Sequence, residues 1–483
     1  MNIAEPIFLH CRSKPAEIAL LAPGTRLNLV SYGRLAQLVN NVSQRAISAG
    51  LASGHKVAVF IDDPIFHAIV LIALTRLGVV TISGRNRSFS WRFSIDAIVT
   101  DKALPFVNQK FILATPEWLE GDARPLDQKH VNRAAPDDLC RIMLTSGTTG
   151  DEKGVAVTHG MMAARIDRQL HFFGPRSAFC MRTFLDLALS TSLGFQVLFS
   201  TLWRGGVLVL GGDPQATISA LPIYRVQNML SSPRGLLEMV DAMDKRPEYR
   251  CGFEAVFSGG SILSPSLAER VAARMCSNVT KGYGSTEASE VASMPAHFAK
   301  DVSGAVGYIM PGIAVEVVDD QDRTLVTGKE GIVRIRSDAG PTEYLGDPEE
   351  SKRVFRDGWF YPGDLGFVTN DNMLIISGRV SNVVNVGGDK VNPERVEEVL
   401  ARHPNVQQVA VLAMPGSAGI DELCALVVPR SSLNADEIRD HCKAALGSVF
   451  TPARFVQVSE LPRNEWGKIE RTKLPEILKN KLN

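Results

Sequence analysis

The first part of the chain alternates between helical and extended hydrophobic patterns. Apolar side chains recur every three or four positions over residues 35–47, which predicts an amphipathic helix that Gly50 ends. Residues 57–61 form a short apolar run, residues 67–77 return to the helical pattern, and residues 79–82 are apolar and extended. Strand, helix and strand in this order are typical of a βαβ unit, so we predict a parallel sheet.

The pattern changes twice further along the chain. Strands are predicted at residues 207–210 and 255–258, with helices at 161–171 and 264–275, the latter with Ser264 as N-cap and Pro265 in its first turn. Short strands separated by Asp, Gly and Asn turns then follow at residues 314–318, 331–336 and 373–377. Beyond Arg379 we predict a compact α+β unit with helices at 395–400 and 435–446 and strands at 406–412, 423–428 and 455–458.

Length and composition are typical of a globular enzyme of two or three domains. The 483 residues carry 52 Lys plus Arg against 52 Asp plus Glu, and this zero net charge argues against nucleic acid as the main partner. No apolar run reaches about 18 residues, and no secretory signal is visible, so we expect a cytoplasmic protein without a membrane span. The scattered cysteines favour buried free thiols over disulfides or a zinc site: Cys11, Cys140, Cys180, Cys251, Cys276, Cys424 and Cys442.

Residues 144–154 are the richest candidate for binding a ligand. Four hydroxyl side chains, three glycines and Lys153 lie between two apolar runs. Glycine lets backbone N–H groups come close to a ligand, hydroxyls donate hydrogen bonds, and lysine adds a positive charge, so the stretch is suited to phosphate oxygens. It is not a Walker A loop, because Glu152 stands five residues after Gly147 where that motif needs Gly-Lys. A polar hairpin turn is the alternative interpretation.

A second stretch, residues 281–287, reads Lys-Gly-Tyr-Gly-Ser-Thr-Glu. Tyr283 offers a flat face for a base, Thr286 can donate to a phosphate oxygen, and Glu287 is a hard oxygen ligand suited to Mg²⁺. Further glycine-containing stretches are residues 258–261, 358–366 and 463–469. Asp364, within the second of these, could accept hydrogen bonds from two ribose hydroxyls.

Together these stretches resemble, in order and over nearly the whole chain, the acyl-adenylate-forming superfamily of acyl- and aryl-CoA synthetases, peptide synthetase adenylation domains and luciferases. The resemblance implies an α/β fold: a large N-terminal domain, residues 1–378, of parallel-sheet subdomains and a small β-rich subdomain that bind ATP and the acyl group. A mobile α+β domain, residues 379–483, would follow and carry the catalytic lysine. It further implies ATP, Mg²⁺ and either CoA or a phosphopantetheinyl carrier protein as reactants and cofactors.

Residue by residue, the resemblance assigns catalytic roles to Lys468, Thr286 and Glu287, with Glu287 as the metal ligand. Two of these three residues, Lys468 and Thr286, are also assigned to nucleotide binding. The other residues assigned to nucleotide binding are Thr145, Ser146, Gly147, Thr148, Thr149, Gly150, Lys153, Gly259, Gly260, Ser261, Gly282, Tyr283, Gly284, Asp364 and Arg379. Gly387 and Gly388 resemble the glycine loop that lines the thiol tunnel. The small domain would rotate between the two half-reactions, removing Lys468 and presenting this loop to the thiol.

Four positions depart from the family pattern. Asp151 and Glu152 stand where the family usually has an apolar residue and a proline, which places two acids beside a phosphate site. Pro362 replaces a threonine two residues before Asp364, and Ser381 stands at the hinge, where many members carry Asp or Lys. These departures raise a second possibility, a degenerate nucleotide-binding regulatory protein.

The acid itself is only loosely indicated. We expect the acyl pocket to draw on residues 189–194, 258–261 and 288–294 and on Gly282. Amino-acid-activating members carry an Asp in the first region, but Asp186 lies several residues too early and Thr191 stands near the pocket position, which favours a neutral acyl or aryl acid. The chain stops shortly after Lys468, so we expect any carrier to be a separate protein. An acyl-CoA synthetase is therefore the first interpretation, and a stand-alone enzyme that loads a carrier protein is the alternative.

Overall fold

A computed structural model describes the chain except for residues 84–92, 103–109, 123, 147–151, 174–181, 212–213, 247, 250, 301, 387–388, 416–420, 433, 464–468 and 483. Within the described residues the α-helices are α1 (Glu5–Ser13), α2 (Tyr32–Ser48), α3 (Pro64–Arg76), α4 (His159–Phe173), α5 (Ser192–Trp203), α6 (Pro214–Ala220), α7 (Pro233–Asp244), α8 (Pro265–Arg274), α9 (Pro348–Val354), α10 (Pro393–Ala401), α11 (Ala435–Leu446) and α12 (Leu474–Leu482). The strands of the first half are β1 (Ile18–Leu21), β2 (Leu29–Ser31), β3 (Lys56–Phe60), β4 (Val80–Ser83), β5 (Ala97–Thr100), β6 (Phe111–Leu113), β7 (Leu139–Ser146), β8 (Glu152–Thr158), β9 (Arg182–Leu185), β10 (Val207–Leu210), β11 (Asn228–Ser231), β12 (Ala255–Ser258), β13 (Val279–Ser285) and β14 (Ser289–Pro295).

The second half is richer in short strands. These are β15 (Ala305–Ile309), β16 (Ile313–Val318), β17 (Gly331–Ser337), β18 (Tyr344–Leu345), β19 (Phe355–Arg356), β20 (Trp359–Phe360), β21 (Asp364–Val368), β22 (Met373–Arg379), β23 (Val384–Val386), β24 (Asp389–Val391), β25 (Val406–Pro415), β26 (Asp421–Pro429) and β27 (Arg454–Gln457).

One sheet carries the predicted phosphate loop at its edge. Its strand order is β18-β8-β7-β4-β3-β5-β6, and β3, β4, β5, β6 and β7 are parallel neighbours. The predicted βαβ unit is confirmed, with α3 as the crossover between β3 and β4. Strands β7 and β8 form an antiparallel hairpin that pairs Thr145 with Lys153. Both ends of the predicted phosphate loop therefore lie on paired strands.

The largest sheet changes from parallel to antiparallel along its width. From β10 through β9, β11 and β12 to β13 the neighbouring strands are parallel, and β14, β15, β22 and β21 then continue it in antiparallel pairs. The parallel part is completely buried on strands such as β11 and β12, as expected for a sheet covered by helices. Ligands in such sheets bind beyond the carboxyl ends of the parallel strands, which here lead into residues 258–261 and 282–287.

The last hundred residues form a small separate sheet of β25, β26 and β27 that packs on α10 and α11. Its core includes Val396, Leu400, Val411 and Ile438, all fully or nearly fully buried. Helix α11 has the predicted bounds, and Ser264 caps α8 as predicted by accepting a hydrogen bond from the Leu267 N–H. The predicted α/β fold with a small α+β unit at the end is confirmed. The division at residues 378 and 379 stays a prediction.

Two further predictions concern the cysteines and the membrane. The six described cysteines are free thiols, four buried and two half-buried, as predicted; Cys180 lies outside the described residues. No helix in the described parts of the chain is both long and apolar enough to cross a bilayer. Strands β1, β2, β5, β6, β11 and β14 and helices α1, α7 and α12 lie in segments for which no element was predicted.

Candidate active site

Lys153, the predicted phosphate-binding lysine, lies in an ion pair. Its Nζ is 2.5 Å from Glu350 Oε1, and both side chains are mostly buried, at 11% and 17% exposure. The ammonium also lies over the Tyr344 ring, 5.2 Å from its centroid. Glycines 147 and 150, threonines 148 and 149, and Asp151 lie outside the described residues, as do the side chains of Ser146 and Glu152. Of this loop, the structure therefore shows where the Lys153 side chain lies and that Glu350 is its ion-pair partner.

Glu350, the partner of Lys153, was not singled out in the sequence. It lies in the first turn of α9 and also accepts two hydrogen bonds from Arg353, at 2.6 and 2.7 Å. These contacts with Arg353 and Lys153 lower the pKa of the Glu350 carboxyl to about 2. Sequence signals for this pair are weak, because Glu350 and Lys153 are 197 residues apart. Only the pairing of β18 with β8 brings them together.

Glu287, the predicted metal ligand, is buried and oriented by two contacts. The Tyr344 hydroxyl donates to Glu287 Oε1 at 2.6 Å, and the buried Arg165 donates to the Glu287 backbone carbonyl at 3.1 Å. Burial and the Glu287 carboxylate raise the pKa of Tyr344 far above its usual value, so the phenol stays protonated as a donor. No second side-chain hydrogen bond to Glu287 occurs within the described residues. The remaining oxygen is suited to a hard cation.

Tyr283, Asp364 and Arg379 form one cluster, although they come from three separate strands. The Tyr283 hydroxyl donates to Asp364 Oδ2, and Arg379 Nε lies 2.8 Å from Asp364 Oδ1. Burial and the Asp364 carboxylate raise the pKa of Tyr283 well above its usual value. Arg379 also donates to the Pro362 carbonyl at 2.6 Å. Pro362, which stands where the family usually has threonine, thus still supplies a hydrogen-bond acceptor through its backbone carbonyl.

The glycine-containing segments lie next to this cluster, beyond the ends of β12 and within β13. Gly260 has φ +88°, a conformation that favours glycine. Gly259 and Ser261 flank it. Gly282 directly precedes Tyr283, and Gly284 and Thr286 lie on the strand and turn that lead from Tyr283 to Glu287. Ser258 Oγ is buried without a hydrogen-bond partner among the described residues.

The segment predicted to form part of the acyl pocket is held by internal contacts. Thr191 caps α5 by accepting a hydrogen bond from the Gly194 N–H at 3.0 Å. Asp186 accepts a hydrogen bond from Ser231 at 2.7 Å. The buried Arg141 donates to the Leu189 carbonyl at 3.0 Å. Thr191 and Asp186 therefore both have structural hydrogen bonds.

The hinge predicted at Ser381 lies in a short turn between β22 and β23. Ser381 is exposed and its hydroxyl donates to Asn382, which in turn donates to Glu394 at the start of α10. Gly378 has φ +147°, and a Cβ there would lie 1.9 Å from Asn392 Nδ2. Gly387, Gly388 and Lys468 lie outside the described residues, so their predicted roles stay predictions.

Helix α10 contacts the large sheet directly. Glu398 accepts hydrogen bonds from the Ser303 hydroxyl at 2.6 Å and from the Gly304 N–H at 3.1 Å. Arg430, in the turn after β26, donates to Ser266 on α8 at 3.2 Å. These contacts between described residues are polar, as is common at interfaces between parts that move relative to each other.

Comparisons with known proteins agree with this geometry. The profile of the AMP-binding enzyme family matches residues 92–345, and that of the AMP-binding enzyme C-terminal domain matches residues 395–468. The chain is 26% identical to a 4-chlorobenzoate–CoA ligase of an Arthrobacter species, over 98% of this chain and 95% of that one. It is also 26% identical to a feruloyl-CoA synthase of an Amycolatopsis species, over 95% and 96% of the two chains. A fatty acid–acyl-carrier-protein ligase, ScoC of Streptomyces coeruleorubidus, is 26% identical over 98% and 96%.

Solved structures share the fold. ATP-bound MatB from Rhodopseudomonas palustris superposes with a TM-score of 0.85 at 22% identity, covering 99% of each chain. The amide bond synthetase McbA from Marinactinospora thermotolerans superposes with a TM-score of 0.83 at 24% identity, again over 99% of each chain. The two family profiles together cover most of this chain. The chain belongs to the AMP-binding enzyme family, the acyl-adenylate-forming superfamily that its motifs predict, and is a ligase of the acyl-CoA synthetase type.

Proposed function

We propose that this protein activates a carboxylic acid with ATP and transfers the acyl group to the thiol of CoA. In the first half-reaction a carboxylate oxygen attacks the α-phosphorus of ATP, and pyrophosphate leaves with the bonding electron pair, which gives acyl-AMP. In the second half-reaction the thiolate sulfur attacks the acyl carbon and AMP leaves. The observation that carries the proposal is the cluster of Tyr283, Asp364 and Arg379 beside Glu287, in a chain of this family.

The nucleotide would be held by groups that the fold already orients. The Asp364 carboxylate, 4% exposed and fixed by Arg379, would accept hydrogen bonds from the ribose hydroxyls. Tyr283 would place its ring against adenine while its hydroxyl stays on Asp364. Gly259, Gly260 and Ser261 would follow the base, and Gly282 and Gly284 would leave room for the acyl phosphate.

The phosphates would contact the β7–β8 loop, from Thr145 and Ser146 to Lys153. Both reactants are anions, so positioning and positive potential must supply much of the rate enhancement. Thr286 would donate to the α-phosphate. Lys153 is fixed by Glu350 and Tyr344, so it would act as an oriented point charge with part of its charge already compensated.

The Glu287 side chain fits a Mg²⁺ ion in its chemistry and burial. Its carboxylate is a hard oxygen donor; Tyr344 holds one oxygen, and no hydrogen bond from a described residue reaches the other. A bound Mg²⁺ would supply charge neutralisation at the phosphates. The protein's own contribution is the Tyr344 hydroxyl, which fixes the direction of the carboxylate.

Lys468 would complete the first half-reaction by binding both the carboxylate and the α-phosphate. We propose that residues 379–483 act as a mobile domain that carries this lysine and then rotates about Ser381, so that Gly387 and Gly388 face the incoming thiol. The polar contacts that Glu398 on α10 makes with Ser303 and Gly304 support this motion.

CoA is the favoured acceptor, because two of the three relatives named above are described as forming CoA thioesters. The relative described as a carrier-protein ligase keeps a carrier protein as the alternative. Incubation with CoA or with a phosphopantetheinylated carrier protein, followed by mass spectrometry of the thioesters, tells the two apart. The first step is tested by ATP–pyrophosphate exchange over a panel of carboxylic acids, with the protein omitted as the control.

A further inference from the structure

The turn that carries Glu287 is closed by a serine in an unusual backbone conformation. Ser285 pairs with Ser289, so the hairpin between β13 and β14 ends in a turn of three residues with Glu287 at its centre. Ser289 has φ +62°, a left-handed conformation that hairpins of this length usually give to glycine. A serine there bears a steric cost that glycine avoids. The serine side chain therefore calls for a use that glycine could not serve.

The Ser289 hydroxyl binds a glutamine on α5. Its Oγ donates to Gln196 Oε1 at 3.2 Å, and both residues are buried. Gln196 Nε2 donates to the backbone carbonyl of Arg165 on α4 at 3.2 Å and to Gln169 Oε1 at 3.4 Å. A backbone carbonyl can only accept, so the amide nitrogen faces Arg165 and the amide oxygen faces the serine. These hydrogen bonds define one orientation of the Gln196 side chain.

A second hydrogen bond ties the same elements to the turn. The buried side chain of Arg165 donates through Nη2 to the Glu287 backbone carbonyl at 3.1 Å. The connections therefore run from Ser289 through Gln196 and Arg165 back to Glu287. A buried network of hydrogen bonds whose members have partners makes its surroundings rigid. The turn is thus held at residue 287 from α4 and at residue 289 from α5.

Helix α5 also begins at the segment expected to line the acyl pocket. That segment, residues 189–194, contains the cap Thr191 and the first turn of the helix, and Gln196 lies two residues beyond it. An acid that packs against this segment would restrict the position of α5. The restriction would reach the Glu287 turn through the hydrogen bond between Gln196 and Ser289.

We propose that Gln196 and Ser289 are positioning residues that couple the acyl pocket to the metal ligand Glu287. This inference rests on the proposed function. Binding of the acid fixes α5, and α5 then holds the turn so that the Glu287 carboxylate points at the Mg²⁺ of the bound nucleotide. The acid and the Mg²⁺–nucleotide complex therefore strengthen each other's binding, and linkage requires the two effects to be equal.

The test measures this coupling by calorimetry with Mg²⁺ and α,β-methylene-ATP, which cannot release pyrophosphate. The nucleotide is titrated with and without a saturating amount of the acid that gives the fastest ATP–pyrophosphate exchange. In the wild type the acid should tighten nucleotide binding by about fivefold or more. Ser289→Ala and Gln196→Ala should each reduce this factor to below about twofold, and the double variant should add nothing, because both substitutions break the same link.

Two further variants separate this positioning role from a structural one. Ser43→Ala removes a buried hydroxyl on α2 that has no hydrogen-bond partner among the described residues, and it should keep the wild-type factor. Ser289→Gly also lacks the hydroxyl but adopts the left-handed conformation at little cost. It should resist urea better than Ser289→Ala and yet lose the coupling equally. Coupling that returns in Ser289→Gly would reject the hydrogen bond as its cause.

The outcomes separate this inference from the proposed function. If exchange occurs, equal nucleotide affinities with and without the acid in the wild type, or coupling that survives both alanine variants, overturn the inference alone. Absence of exchange with every acid overturns the proposed function. In that case, calorimetry with ATP still tests the inference, since Gln196→Ala should weaken binding of MgATP by about fivefold or more but leave binding of ATP in EDTA unchanged. Equal MgATP affinities of the wild type and Gln196→Ala, or no MgATP binding at all, reject the inference.

Discussion

The two sides of the candidate active site differ in how their polar groups are satisfied. On the nucleotide side each central group has a partner within the protein: Asp364 with Tyr283 and Arg379, Glu287 with Tyr344, and Lys153 with Glu350. On the acyl side, Glu290 Oε1, in the segment expected to line the pocket, has none in the described structure. Glu290 Oε1 is a buried atom, so solvent does not satisfy it in place of the protein.

The contrast separates two ways of recognising a ligand. ATP is common to the whole superfamily, and internally paired groups hold a fixed geometry for it before it binds. The acid differs between members, and an unpaired buried group makes binding depend on whether the acid supplies the missing partner. The paired groups on the nucleotide side thus contribute stability, whereas the unpaired Glu290 oxygen on the acyl side costs stability.

Lys468 should give the largest effect, since it would act where the two sides meet. We expect Lys468→Ala to lower adenylation by two orders of magnitude or more, because one strong charge contact in the transition state is lost. Thioester formation from supplied acyl-AMP should change much less, since the lysine has left the site by then. Separate assays of the two half-reactions check this, and equal losses in both would contradict the assignment.

Asp364→Asn and Glu290→Gln should change the stability of the protein in opposite directions, which tests the difference between the two sides. Asp364→Asn should lower the free energy of unfolding by about 1–3 kcal/mol, because a buried acceptor of two hydrogen bonds loses its charge. Glu290→Gln should instead raise the free energy of unfolding on the order of 2 kcal/mol at pH 8. Urea unfolding of both variants measures this. A loss at both positions would mean that Glu290 is a structural residue.

The stabilisation expected from Glu290→Gln should depend on pH. Burial raises the pKa of Glu290 to about 7 from an ordinary value of 4.5. Between these values the unfolded chain loses the proton while the folded protein keeps it, so a rising pH favours unfolding through this window and the cost levels off above it. The gain in the free energy of unfolding from Glu290→Gln should therefore be small at pH 4.5 and complete at pH 8.

The hinge couples the two sides through the small domain. Proline fixes φ near −65°, so Ser381→Pro should trap one orientation of the domain. One half-reaction should be largely kept and the other reduced by at least about tenfold, or roughly 1.4 kcal/mol. Pyrophosphate exchange reads the first and thioester formation the second. Wild-type rates in both would place the pivot elsewhere, at Asn382 or Val383.

Substitutions of Glu287 and of its partner Tyr344 should raise the Mg²⁺ requirement by different amounts. Glu287→Gln should raise the Mg²⁺ concentration for half-maximal adenylation by about tenfold or more, because an amide is a poorer ligand for a hard cation. Tyr344→Phe keeps the ring under Lys153 and should raise this Mg²⁺ concentration less, because only the hydrogen bond that orients Glu287 is lost. A Mg²⁺ titration that is unchanged in Glu287→Gln would reject the metal assignment.

Local patterns predicted much of the fold and part of the site. The α11 bounds and the Ser264 cap depend on neighbouring residues, and the structure agrees with both. Asp364 and Arg379 were recognisable because each lies in a motif of its own, and their pairing across β21 and β22 brings them together.

The missed residues depend on contacts that are distant in sequence. Glu350 reaches Lys153 only because the two-residue strand β18 joins β8, and such a short strand carries little hydrophobic periodicity. Glu290 is distinguished by a hydrogen bond that Oε1 does not make within the described residues, and a missing partner has no sequence pattern. The residue range expected for the acyl pocket included Glu290, but nothing distinguished it from its neighbours.

The central claim is that this chain converts a carboxylic acid, ATP and CoA into an acyl-CoA, AMP and pyrophosphate. The most direct measurement is mass spectrometry of the CoA products, with chromatography of the adenine nucleotides, after incubation with a panel of carboxylic acids. We expect an acyl-CoA and an equal amount of AMP, and neither from Lys468→Ala at comparable times. ADP in place of AMP, or no thioester from any acid with either CoA or a carrier protein, would contradict the account.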